Sequence, residues 1–143
     1  RYRWAGCRFD SSEGSGYFHL LKTSVPGTDH PQRFVTGARG VREFSVPLTE
    51  KGTSATFTVK LGFLEPDAVE SGQRLFNVTL QGKTVLEAFD IVREAGGQMR
   101  AVERTFTGVE VAETLRVGLV PAGGAKLPAP ILCSVEVIAE AAQ

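Results

Sequence analysis

The sequence predicts an all-β fold, an antiparallel two-sheet β-sandwich of jelly-roll-like character. Three observations predict it. Apolar residues alternate at period two from residue 41 onward, each alternating run ends at turn-forming residues, and no window offers a long, capped amphipathic helix. Short strands with one wet face and regular turns are the pattern of a sandwich or barrel.

The runs follow in order. Phe44, Val46 and Leu48 oppose Glu43, Ser45 and Pro47. Phe57, Val59, Leu61 and Phe63 alternate with Thr56, Thr58, Lys60 and Gly62. Phe76, Val78 and Leu80 alternate with Asn77, Thr79 and Gln81, and Leu115, Val117 and Leu119 with Arg116, Gly118 and Val120. Near the end, Ile131, Cys133, Val135 and Val137 form one face. Between the runs stand Glu50-Lys51-Gly52, Ser71-Gly72, Gln81-Gly82-Lys83, Ala95-Gly96-Gly97 and Ala122-Gly123-Gly124, all read as turns. Val85 to Glu94 has some helical spacing, but Val85, Phe89 and Ile91 also suit a strand, and a strand is the expectation there. In the first 40 residues Gly14, Ser15, Gly16, Pro26, Gly27, Pro31, Gly37 and Gly40 break any long element. Such a region is expected to form long loops over one rim of the sandwich, where ligands bind.

A length of 143 residues corresponds to one domain, 1–143, and the opening Arg1-Tyr2-Arg3-Trp4, without an initiator Met, leads to the expectation of a module excised from a larger protein or of a processed chain. Sixteen basic and sixteen acidic side chains give zero net charge. No basic surplus exists to neutralise phosphates, so neither nucleic acid nor a membrane surface is expected as a partner. Cys7 and Cys133 match no metal spacing. Two readings of them stand: buried free thiols, or a disulfide joining first and last strands in an oxidising compartment.

Catalytic chemistry finds little support. His19 and His30 are the only histidines, no serine lies in a Gly-x-Ser-x-Gly elbow, and the Gly-Gly pairs sit between strands rather than before a helix. Calcium at Asp67 with Glu65 or Glu70 lacks the Asp-x-Asp pattern of a dedicated loop. No metal, no cofactor and no enzymatic activity are expected of this domain. Asn77-Val78-Thr79 is a formal glycosylation sequon on the polar side of a strand.

One family resemblance covers residues 55–138. Leu61-Gly62-Phe63-Leu64-Glu65, the run Gly72 to Gly82 around Arg74-Leu75-Phe76-Asn77-Val78, Phe89-Asp90-Ile91, Glu94-Ala95-Gly96-Gly97 and Pro130-Ile131 through Glu136-Val137 resemble, in order and spacing, the malectin-like domains, among them family 57 carbohydrate-binding modules. Ala5-Gly6 with Asp10-Ser11-Ser12-Glu13-Gly14 resembles the family's opening. The resemblance implies a β-sandwich that binds oligosaccharide or polysaccharide at its loop rim, with neighbouring domains of the parent protein as further partners. An extracellular or periplasmic location follows if the parent degrades glycans. The family's sugar anchors are not retained. Its aromatic pair falls at Asp67 and Ala68, its tyrosine after an arginine falls at Gly40 after Arg39, and its acid falls near Pro128.

A replacement site needs an aromatic platform and charged or amide groups. Trp4, Phe9, Phe18 and Phe34 supply further aromatics, and Asp10, Asp29 and His30 further polar groups; Trp4 and Phe34 read as core fillers. The expected carbohydrate site is Tyr17, His19, Arg39 and Asp67. Asp67 follows the Phe57–Phe63 strand and Arg39 precedes the Phe44 strand, and antiparallel order would bring them together. The plain alternative for that pair is a surface salt bridge. For the domain as a whole, the alternative is a structural accessory β-domain of a multidomain glycoside hydrolase, with no ligand of its own.

Overall fold

The computed structural model describes residues 8–9, 16–127 and 129–140, the first two by backbone alone. Trp4, Cys7, Asp10, Pro128 and the Phe9 side chain lie outside the described residues. In chain order the elements are β1 (Arg8–Phe9), β2 (Gly16–His19), a 3-10 turn (Pro31–Arg33), β3 (Thr36–Arg39), β4 (Val41–Pro47), β5 (Ser54–Leu64), β6 (Phe76–Leu80) and β7 (Lys83–Phe89). There follow α1 (Ile91–Ala95), β8 (Ala101–Ala112), β9 (Thr114–Pro121), β10 (Ile131–Leu132) and β11 (Ser134–Ala139).

The strands form a five-stranded sheet β1-β4-β9-β6-β7 and two three-stranded sheets, β11-β5-β8 and β10-β3-β2, with every pairing antiparallel. The alternation read from the sequence becomes the core. Phe44, Val46, Leu115, Val117, Leu119, Phe76 and Val78 of the five-stranded sheet are fully buried, as are Val59, Leu61 and Phe63 of β5. Phe63 meets Phe89 at 4.7 Å and Phe76 at 5.9 Å between ring centroids, so the two layers share one aromatic cluster. Phe34 is buried, as a core filler should be. Cys133 is a buried free thiol whose burial pushes its pKa up to about 12, which keeps it protonated and unreactive.

One expectation needs correction. The strand expected over Val85 to Glu94 ends at Phe89 and a single helical turn follows. Asp90 sets that boundary: it is extended, and its carboxylate accepts from Arg93 N at 3.2 Å, while Gly96 closes the turn at φ +84°. The glycines and prolines of the first forty residues do break any long element, but two four-residue strands form among them, with Gly16 and Gly37 inside the β2–β3 hairpin. Phe18 lies directly over Gly37, where any side chain would collide with its ring. The 12-residue β8 carries no clean alternation and was not predicted; as the edge of its sheet it mixes exposed and half-buried residues along its length.

Asp90 is nearly buried and also accepts from Gly72 N at 2.6 Å and Ser71 Oγ at 3.1 Å, so one carboxylate ties the 71–72 turn to the start of α1. Replacing it with alanine removes a helix cap and the acceptor of the Gly72 backbone donor together. Asp90→Ala is expected to cost about 2–3 kcal/mol in urea denaturation, and Asp90→Asn distinctly less. A loss below about 0.5 kcal/mol for Asp90→Ala would contradict this role.

Candidate functional site

Arg39 and Asp67 do meet, but not by the predicted route. β4 and β5 belong to different sheets, so no antiparallel pairing joins the chain after Arg39 to the chain before Asp67. The connection runs through β10 and β11. Arg39 pairs with Ile131, and Gly40 N donates to Pro130 O at 2.8 Å. Cys133 N then donates to Gly62 O at 2.8 Å, and β11 runs along β5 from the Ser134–Gly62 pair. The end of β3 is thereby laid beside the end of β5, where Glu65-Pro66-Asp67 turns away from the sheet.

The contact is bidentate. Arg39 Nε and Nη2 each donate to Asp67 at 2.8 Å. Such a planar fork is stronger and more directional than a single-point ion pair. Neither bond uses Nη1. Behind Asp67 lies Arg74, 5% exposed, whose Nη2 donates to Asp67 Oδ2 at 2.9 Å, whose Nε donates to Glu65 Oε1 at 2.6 Å and whose Nη1 donates to Ala129 O at 2.6 Å. Glu65 is fully buried and its Oε2 accepts from Asp67 N at 3.2 Å. The result is a chain of alternating charge, Glu65–Arg74–Asp67–Arg39, that starts in the core and ends at a partly exposed guanidinium. The side chains of Asp67 and Arg39 are 34% and 27% exposed. The guanidinium of Arg39 lies 5.0 Å from the centroid of the Phe18 ring.

Of the four residues expected to form the site, the structure joins Arg39 to Asp67 and sets the other two apart. Tyr17 and His19 are exposed, and strand alternation turns them to the opposite face of β2 from Phe18. Phe18, not Tyr17, is the aromatic beside Arg39. Glu65 and Asp67 face a guanidinium instead of a calcium ion, and among the described residues no cluster of three His, Cys, Asp or Glu side chains could hold a metal. His30 lies elsewhere, in a turn closed by its own amide on Thr28 Oγ1 at 2.9 Å. Among the described residues no helix is long and apolar enough to cross a membrane.

The fold is that of a carbohydrate-binding-like β-sandwich module. The family model of the Malectin domain matches residues 9–123, and the chain belongs to that family. A probable LRR receptor-like serine/threonine-protein kinase of Arabidopsis thaliana is 28% identical over 122 residues, covering 80% of this chain and 12% of the kinase. In three dimensions the chain is similar to the ANX2 ectodomain of Arabidopsis thaliana (TM-score 0.72, 13% identity, 96% of this chain and 43% of that one). It is also similar to β-glucuronidase 2 of Bacteroides uniformis (TM-score 0.71, 15% identity, 98% and 15%). The crystal structure of the plant peptide RALF23 in complex with FER and LLG2 contains a further similar chain (TM-score 0.68, 14% identity, 92% and 40%). The chain spans less than half the length of each of these proteins.

The buried end of the charge chain has a pH signature. Burial pushes the Glu65 carboxyl above its ordinary 4.5, while Arg74 pulls it back down less strongly. A carboxyl raised on folding is protonated more readily folded than unfolded. Between the unfolded value and the raised one, the folded chain holds more protons, so its stability falls as pH rises through that window. Wild-type stability relative to Glu65→Gln, which does not titrate, is therefore expected to decline as pH climbs upward from about 4.5 in urea denaturation series. A difference that is flat or rises with pH would mean that Arg74 overrides burial.

Proposed function

We propose that this domain is a non-catalytic carbohydrate-binding module that holds glycan at the rim formed by the β2–β3 hairpin and the 65–67 turn. The observation that carries the reading is the Arg39–Asp67 fork in a domain of the malectin family. A preoriented, partly exposed acid and guanidinium lie together at the mouth of a sandwich, with the Phe18 ring beneath. Sugar hydroxyls diverge from a ring and are met by such paired donors and acceptors, and the electron-rich face of an aromatic ring packs on the apolar C–H face of a sugar. Arg39 Nη1 supplies donors that the fork does not use, and Asp67 supplies acceptor lone pairs. Tyr17 and His19 lie on the opposite face of the edge strand β2 and would meet only a longer glycan that wraps around that edge. No acid pair, nucleophile or metal enters this reading, and the module serves a larger protein by holding its substrate or its surface.

The second reading, a structural accessory β-domain, is favoured by one observation. Asp67 is already bound by two guanidinium groups, an arrangement that satisfies itself without a ligand. Calorimetric titration of neutral, acidic and sulfated oligosaccharides separates the two. Binding that falls about tenfold or more in Arg39→Ala, with a smaller loss in Tyr17→Ala, is the expected result for the rim site. Binding unchanged in folded Arg39→Ala and Phe18→Ala would move the site elsewhere, and no binding across the whole set would leave the accessory reading.

A further inference from the structure

Between the chain segment 25–34 and the outer face of the β11-β5-β8 sheet lies an open, polar cavity of about 720 Å3. It is separate from the rim: none of the Phe18, Arg39 and Asp67 side chains lines it. Its floor is Lys60 of β5 and Glu103 of β8. Lys60 pairs with Thr105 and Glu103 with Gly62, which places both on the face opposite the buried Leu61 and Phe63. Its wall carries Asp29, His30 and Arg33.

The wall is pinned. Ala101 N donates to Pro26 O at 2.9 Å. Gly27 adopts φ +94° and approaches β8 so closely that a Cβ would stand 2.6 Å from Ala101 O. Arg33 N donates to His30 O at 3.0 Å, and the Phe34 ring is buried over Gly62. A cavity held this way is present before any ligand arrives, which lowers the ordering cost of binding.

Its charges are not settled internally. Arg33 Nη1 lies 3.0 Å from Glu136 Oε2, and the buried Arg33 Nε has no hydrogen-bond partner among the described residues. Among those residues no ion pair or hydrogen bond engages the side chain of Asp29, Lys60 or Glu103; Arg104 Nη1 donates only to the Glu103 carbonyl, at 3.1 Å. Glu136, which pairs with Lys60 across the strands but does not line the cavity, neutralises Arg33, and that leaves two lining acids, Asp29 and Glu103, against one lining cation, Lys60. The balance is one negative charge, set in a cavity whose other groups offer donors and acceptors to hydroxyls.

The geometry points to a second sugar subsite in this cavity, selective for an amino sugar whose free ammonium sits between Asp29 and Glu103. This deepens the carbohydrate-binding reading and rests on it. A polyanionic sugar is disfavoured by the two carboxylates, and a neutral one leaves them without a counter-charge. Lys60 and Arg33 then face the ring hydroxyls.

The test compares one backbone in two charge states: the trimer of glucosamine, bearing free amines, against the trimer of N-acetylglucosamine. Calorimetry is run at slightly acidic pH and at two salt concentrations on the whole chain. The amine form is expected to bind about tenfold tighter or better, with the preference surviving moderate salt. The double variant Asp29→Asn/Glu103→Gln should bring the two affinities to within roughly twofold, while Arg39→Ala leaves the preference intact. Both acids are exposed, so these variants keep the fold, as a thermal melt verifies. Equal wild-type affinities, or a preference that survives the double variant, overturn this subsite even where neutral glycans bind at the rim. A preference lost in Arg39→Ala instead would assign the amine to the rim. A wild type that binds neither trimer nor any other glycan removes the subsite and the function it rests on together.

Discussion

The guanidinium of Arg74 is buried at the meeting point of three chain segments that are distant in sequence. It binds Glu65 at the end of β5, Asp67 in the turn beyond, and the carbonyl of Ala129 at the approach to β10. Its own position is set by the strand that follows, since Arg74 precedes Phe76 and Val78 on the core-facing register of β6. A buried guanidinium is costly unless its donors are met, and here all three nitrogens find partners. The rim of the sandwich is arranged around that requirement. The 65–67 turn, the 129–130 approach and the last residue of β3 all lie within reach of this one side chain or of the acid it holds.

From this constraint the surface chemistry follows. Asp67 is fixed from behind by Arg74 and from its own backbone by Glu65, so its carboxylate has little freedom left. It in turn orients Arg39 as a fork, and Arg39 lies over Phe18. The family's aromatic anchors, absent here at Gly40, Asp67 and Ala68, are replaced by a charged cluster that a core arginine holds rigid. Under the proposed function, a site of this kind would recognise hydroxyls through directed hydrogen bonds more than through stacking. Its ligand preferences should therefore differ from those of relatives that use aromatic rings.

Much of the fold was legible because period-two alternation is a direct consequence of strand geometry, and Phe44–Leu48, Phe57–Phe63, Phe76–Leu80 and Leu115–Leu119 follow it closely. What was not legible has identifiable causes. β8 is an edge strand whose two faces are unequally covered, so its residues do not alternate cleanly. The β2–β3 hairpin is glycine-rich because Phe18 lies on Gly37, and glycine read in isolation signals a break. At the site, Arg39 and Asp67 were picked out from their places in the loops, but the reason for their contact, a detour through β10 and β11, depends on tertiary topology. Nothing local shows which face of a two-sided edge strand meets Arg39, so the sequence points to Tyr17 where the structure has its neighbour Phe18. Glu65 and Arg74 did leave a signal. Each continues the core-facing register of its strand, Glu65 after Phe63 and Arg74 before Phe76. Two opposite charges on inward registers imply a buried pair.

The dependence on Arg74 is open to a double-mutant cycle. Arg74→Met, Glu65→Met and the double variant keep side-chain volume while removing one or both charges, and urea denaturation gives the stability of each. Loss of either partner alone is expected to cost about 3–5 kcal/mol because it leaves the other charge buried without its counter-ion, and the double variant should regain most of that. Single variants within about 1 kcal/mol of wild type, or losses that simply add in the double variant, would show that the rim does not hang on this interaction.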